Sequence, residues 1–163
     1  MKYRFDTISS DFRCKHCHAH VSTDPLLSGV NNRNHCPYCL HSRHMDLYEA
    51  GDRLSACKAE MRPVGLALKK TKKKYGKQQG ELMIIHQCSE CESISINRTA
   101  ADDDAQTILE IFNRWQRLDA QVKARIEQSG IQALAADDYG VVCARLFGWD
   151  RCPERLPSFV DLM

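Results

Sequence analysis

The sequence predicts an α+β chain in two parts: a small cysteine-rich β domain of two ribbon-like units over residues 1–100, and a helical extension with an irregular tail over residues 101–163. Two observations predict it. Three Cys-x-x-Cys pairs, Cys14/Cys17, Cys36/Cys39 and Cys88/Cys91, fall within the first 91 residues, and after Thr99 the apolar spacing changes to that of an amphipathic helix. Charge divides the chain at the same place. Residues 1–99 hold 16 Lys/Arg against 10 Asp/Glu and residues 100–163 hold 7 against 11, so a net charge of +2 conceals a basic half and an acidic half.

The first two pairs are separated by 18 residues, a spacing at which two Cys-x-x-Cys turns fold back and close one tetrahedral four-thiolate zinc site of Cys14, Cys17, Cys36 and Cys39. The segment MKYRFDTISS has no apolar stretch of the kind that directs export, so a reducing, cytoplasmic setting and zinc are expected in preference to disulfides. Few large apolar side chains occur in residues 1–99, and a segment with so little core needs a metal or cross-link.

A weak internal repeat organises this half. Arg13-Cys14-Lys15 aligns with Ala56-Cys57-Lys58, and His35-Cys36-Pro37-Tyr38-Cys39 with Gln87-Cys88-Ser89-Glu90-Cys91, while the position matching Cys17 is Glu60. A second zinc ion is therefore expected on Cys57, Cys88, Cys91 and a histidine, since structural sites are four-coordinate and imidazole is the usual substitute for thiolate. His44 is preferred because it can approach from the neighbouring unit; His86, two residues before Cys88, is the alternative.

Short strands are expected at Met45–Tyr48, Leu82–His86 and Ile94–Ile96. Between Cys57 and Cys88, the stretch from Lys69 to Lys77 carries six lysines in nine residues and reads as a solvated loop or hairpin tip. In the acidic half, Thr99 with Asp102 fits a capping box, and Ile108, Ile111, Phe112, Trp115, Leu118, Val122 and Ile126 recur at helical spacing, predicting one helix over 101–129 that ends at Ser129-Gly130. A shorter helical stretch follows over Ile131 to Phe147, broken near Tyr139-Gly140, with Cys143 as a buried apolar residue.

Arg33-Asn34-His35-Cys36-Pro37 spells a signature, and around it stand Phe12-x-Cys14-x-x-Cys17, Cys39-Leu40-x-Ser42-x-His44-x-Asp46, Gly51-Asp52-Arg53, Cys57 with Met61 and Pro63, His86-x-Cys88-x-x-Cys91, and Asn97-Arg98 leading to Asp102-Asp103. In these features residues 10–104 resemble the RNHCP domain family. The resemblance implies a small zinc-binding domain. Lys58 and Glu92 depart from it, standing where glycine is expected after the cysteine to ease a tight turn.

For function, composition and motifs favour binding over catalysis. Closed sites of cysteine and histidine are structural, and there is no phosphate-cradling glycine loop, His-Glu-x-x-His or nucleophile triad order, so no enzymatic activity is expected. No apolar run approaches the roughly 18 residues that span a bilayer. The leading expectation is an RNA-binding protein associated with ribosomes or another ribonucleoprotein, with Arg33, Arg53, Lys69, Lys70, Lys72, Lys73, Lys74 and Lys77 neutralising phosphates. The alternative is a protein-interaction adaptor that offers the apolar stripe of residues 105–147 to a partner.

Overall fold

The computed structural model describes residues 10–70 and 80–148. It is a mixed α+β structure with two sheets and four helices. A two-stranded antiparallel sheet, β1 (Phe12–Arg13) with β2 (His20–Val21), frames the first cysteine turn. The one-turn helix α1 (Pro25–Ser28) follows, started by the Asp24 side chain on the Leu26 amide and ended by Gly29 at φ 70°, the left-handed conformation that glycine adopts without strain.

The main sheet is antiparallel, in the order β3 (Ser42–Arg43), β4 (Glu60–Lys69), β5 (Glu81–Cys88) and β6 (Ile94–Arg98). The strands expected around Leu82–His86 and Ile94–Ile96 are present as β5 and β6. The one expected at Met45–Tyr48 is not. Strand pairing there stops at Arg43, because the carboxylates of Asp46 and Asp52 take the backbone amides that a ladder would need. Pro63 lies within β4 but pairs only with His86 of β5, since β3 reaches no further along β4 than Met61; its missing N–H therefore faces an unpaired edge.

The helical segments cover both faces of this sheet. Leu66, Leu82 and Ile84 point to one face and pack with Ile108, Leu109, Ile111 and Phe112 of α2 (Ala105–Arg114) and with Val142 and Cys143 of α4 (Tyr139–Phe147). Ile85 and Ala67 point to the other and meet Val122 and Ile126 of α3 (Ala120–Gln128), with Trp115 alongside. The register irregularity between Pro63 and Gly65 lets Val64 join this second face, where strict alternation would have placed it with Leu66. Burial of each such Ile or Leu contributes about 1.5–3 kcal/mol, and the sheet from the first half has its apolar sides covered largely by segments of the second, with Leu40 of the first half alongside.

The single helix expected over 101–129 is two helices. Its cap is Asp104, which accepts from the Thr107 amide, and not Thr99, which just past the end of β6 donates to the carbonyl of Leu82 in β5. After Arg114 the chain tightens into a 3₁₀ turn at Trp115–Arg117, Leu118 becomes extended, and the Asp119 carboxylate restarts the helix by accepting from the Gln121 and Val122 amides. The second stretch begins as a 3₁₀ turn at Ala136–Asp138 that leads into α4, with Cys143 buried in the core. No helix among the described residues is long and apolar enough to cross a membrane.

Gly65 is where a rigid ring lies directly on the sheet. A Cβ there would stand 2.9 Å from Cε3 of Trp115, closer than carbon atoms pack. Gly65→Ala should therefore displace the indole and lower stability by about 1–3 kcal/mol. Chemical denaturation in a Trp149→Phe background, with a red shift of Trp115 emission, checks it.

Candidate metal centres

Two groups of four ligand atoms, each with all atoms within 4.8 Å of one another, have the donor sets to hold two zinc ions. The first comprises Cys14, Cys17, Cys36 and Cys39, with Sγ separations of 3.6 Å for Cys14 to Cys39 and for Cys17 to Cys36. That is close to the edge of a tetrahedron with Zn–S bonds of about 2.3 Å, and far from a disulfide of about 2.05 Å. All eight described cysteines are free thiols.

The turns that deliver these sulfurs repeat one design. Cys14 donates its amide to Ala19, Cys36 to His41 and Cys88 to Ser93, so each knuckle closes on the carbonyl five residues ahead. The residue after the turn is left-handed every time: His18 at φ 63°, Leu40 at 59° and Glu92 at 58°, with Lys58 after the single Cys57 at 49°. None is glycine. The departures seen at Lys58 and Glu92 thus fall on backbone positions where a Cβ costs about 1–2 kcal/mol.

The second group is His44, Cys57, Cys88 and Cys91. Cys57 and Cys88 are 3.6 Å apart at sulfur, and His44 Nδ1 is 3.2 Å from Cys91 Sγ. His44 is positioned by pairing around β3 and β4, its amide donating to Ala59 and its carbonyl accepting from Lys58. His86 is not a ligand. It is fully buried in β5, with Nε2 donating to the Leu40 carbonyl at 2.7 Å and Nδ1 accepting from Asn97 at 3.0 Å, and burial holds its pKa down at about 3. It ties the loop beyond Cys39 to the central strand as a neutral hydrogen-bonding group.

Burial pushes the thiols of Cys36, Cys39 and Cys88 above the usual cysteine range. Against the opposing effect of burial, hydrogen bonds from the Ser93 hydroxyl and amide hold Cys91 down at about 6. The clustered sulfurs of each group ionise together only around a cation, which is the chemistry of a structural zinc site.

The first tetrad is anchored to the rest of the chain by a buried ionic network. Arg33, its side chain fully buried, donates from Nη1 to Asp102 Oδ2 at 2.7 Å and from Nη2 to Asp103 Oδ1 at 3.1 Å, while Nε donates to the His35 carbonyl. His35 Nε2 lies 2.8 Å from Asp103 Oδ2, and that oxygen also accepts the Ala100 amide. Asp104 then donates its amide to the Pro37 carbonyl immediately before α2. Arg33 cannot contact phosphate, contrary to the expectation from sequence.

The other basic residues named from sequence are placed differently. Arg53, Lys69 and Lys70 are exposed; Lys72, Lys73, Lys74 and Lys77 lie outside the described residues. The apolar stripe of the helices is buried against the sheet, so Ile108, Ile111, Phe112, Val122 and Ile126 are not free for a partner. A feature not singled out from sequence is a set of three groups, His16, His41 and Glu60, close enough together to hold an ion. Its sequence signals were the odd residue of the internal repeat, Glu60 opposite Cys17, and the density of histidines between His16 and His44.

The RNHCP domain family model matches residues 9–109. No curated protein and no solved structure matches the chain.

Metal analysis of protein dialysed against a weak chelator should return two tightly held zinc ions per chain. His44→Ala should lose one of them and His86→Ala neither, although His86→Ala should be less stable because Asn97 and the Leu40 carbonyl lose a buried partner. Removing the Asp103 carboxylate leaves Arg33 as an uncompensated buried charge, so Asp103→Ala should cost about 3–5 kcal/mol in equilibrium denaturation.

Proposed function

The chain belongs to the RNHCP domain family, and from that premise we propose that it is a zinc-held RNA-binding protein of ribonucleoprotein particles, the ribosome foremost, with no catalysis of its own. The observation that carries this reading is the loop from Asp46 to Leu54. Asp52 accepts the amides of Leu47, Tyr48, Glu49 and Leu54, and Asp46 accepts those of Gly51 and Arg53. So braced, the loop holds Tyr48 82% exposed and Leu54 62% exposed, with Leu47 and Arg53 also in solvent. An aromatic ring and a guanidinium held out on a rigid loop are the means by which proteins stack unpaired bases and hold the backbone beside them.

Electrostatics supports the same partner. The excess of 16 basic over 10 acidic residues in residues 1–99 includes the lysines between Lys69 and Lys77, and the described ones, Lys69 and Lys70, point to solvent at the end of β4. The adaptor reading loses its support, because the stripe it needed is already covered by the sheet.

Backbone hydrogen bonds, those from Glu49, Leu54 and Leu47 foremost, hold the Asp52 carboxyl well below the usual carboxylate range, so it is ionised at neutral pH and its bracing is lost only as acid protonates it. Asn offers one acceptor oxygen in place of two, so Asp52→Asn should loosen the loop. At neutral pH, with zinc content unchanged, RNA affinity should fall about ten-fold, the equivalent of one or two lost hydrogen bonds. Gel shift against single-stranded RNA measures it.

Replacing Lys69, Lys70, Lys72, Lys73 and Lys74 with Gln should weaken binding to all RNAs alike and flatten its dependence on salt, because fewer counterions are released. Co-sedimentation with ribosomal particles at low and then high salt provides the readout. A folded five-fold variant that sediments like the parent at every salt concentration overturns the RNA reading.

A further inference from the structure

We propose that His16, His41 and Glu60 form a third metal site, an open one for a divalent transition-metal ion such as Co²⁺ or Zn²⁺, distinct from the two closed tetrads. The three residues come from different segments. His16 lies inside the first knuckle, His41 two residues beyond the second, and Glu60 opens β4. The fold nevertheless brings one ligand atom of each within 4.8 Å of the others, with His16 Nδ1 3.2 Å and His41 Nε2 3.7 Å from the same oxygen, Glu60 Oε1.

The orientation of His41 is that of a prepared ligand. Its Nδ1 lies 3.1 Å from the Cys39 carbonyl, and a carbonyl can only accept, so Nδ1 carries the proton and the lone pair of the neutral ring sits on Nε2, the atom that faces Glu60. A hydrogen bond from the remote ring nitrogen to a carbonyl is how metal-bound histidines are commonly fixed in tautomer and direction. His16 and His41 stack at 3.5 Å with planes 4° apart. An ion cannot lie in both ring planes of a flat stack, so loading tilts the more exposed ring, His16, and a neutral ring offers its Nδ1 lone pair to the ion by carrying its one proton on Nε2, exchanged there through solvent.

Two further facts favour a cation here. Four thiolates around Zn²⁺ carry a net charge of −2, and His16 is adjacent in sequence to Cys17 of that group. Two imidazoles and a carboxylate make a borderline donor set suited to Zn²⁺, Co²⁺, Ni²⁺ or Fe²⁺, and three protein ligands leave positions for water, unlike the closed tetrads. Glu60 stands where the repeat of the first unit has Cys17, so the position is a metal-binding one turned to a different ion.

The test uses the full chain with both tetrads filled by zinc and adds Co²⁺ as the probe. One extra equivalent should bind, showing cobalt d–d absorption without thiolate charge-transfer bands, while the two zinc ions remain. His16→Gln, on an exposed side chain, and Glu60→Gln should each weaken that equivalent about ten-fold or more and leave the zinc count and melting temperature of the parent. No Co²⁺ beyond the two zinc ions, binding unchanged in both variants, or thiolate bands with release of zinc overturns the proposal. Because the readout is a metal count and a spectrum, the result is independent of whether RNA binds.

Discussion

The Asp103 carboxylate, its side chain fully buried, receives Arg33, the His35 ring and the Ala100 amide on its two oxygens, and the arrangement of the chain depends on that convergence. In a low-dielectric interior neither charge can be left alone, so the loop at residues 33–37 and the segment at 100–104 move as one body. The first of these carries Cys36 of the first tetrad, and the second leads into α2. The Pro37 carbonyl accepts the Asp104 amide, so the knuckle sets the direction of the helix whose Ile108, Ile111 and Phe112 cover one face of the sheet. Each residue of the Arg33–Pro37 signature has a task in this joint. Arg33 and His35 meet Asp103, Asn34 donates to Asp46, Cys36 is a ligand, and Pro37 supplies the carbonyl.

The knuckles illustrate how metal and backbone share the cost of folding. Four non-glycine residues, His18, Leu40, Lys58 and Glu92, hold left-handed φ after a ligand cysteine. At about 1–2 kcal/mol each, this strain is several kcal/mol in total, a sum that a zinc-free domain with so small a core could not bear. Binding energies of about 10–16 kcal/mol per structural zinc exceed it comfortably. Leu40 also contributes a buried side chain that glycine would lack, and its carbonyl is the acceptor for His86. Glu92 pairs with Arg125 of α3. For these two positions the side chain has its own contacts to make, which accounts for the absence of glycine; nothing comparable is found for Lys58.

The local chemistry was legible in the sequence and the long-range pairing was not. Knuckle spacing located the first tetrad and the internal repeat located the cysteines of the second, while the short apolar runs at Leu82–Ile85 and Ile94–Ile96 located two strands from signals that lie within a few residues. His44 was preferred to His86 because His86 and Cys88 would both have to reach the ion from one strand face whereas His44 could approach from the neighbouring unit, and the structure adds that His86 is held by the Leu40 carbonyl and Asn97. Arg33 was misread as a phosphate contact because its carboxylates lie 69 and 70 residues away. The helix break was hidden by Trp115, Leu118 and Val122, whose spacing continues the helical period through a 3₁₀ turn and an extended residue. Asp119, a capping residue in mid-pattern, was the sign available. Likewise Asp46 and Asp52 around Gly51 indicated an Asp-braced loop where apolar Met45, Leu47 and Tyr48 suggested a strand.

The two tetrads are consecutive in sequence and never interleave: every ligand of the first precedes every ligand of the second. During synthesis the first unit can therefore capture its ion once Cys39 has left the ribosome, without competing for sulfurs not yet made. Arg33 is then committed to its place long before its counter-charges exist, since Asp102 and Asp103 emerge some 70 residues later, a delay of several seconds at about 5–20 residues per second. For that interval the guanidinium must stay hydrated and the loop around it open. The nascent chain thus acquires its first metal early, and its second metal and its rigidity late, when Cys91 and then the acidic segment arrive and close the joint.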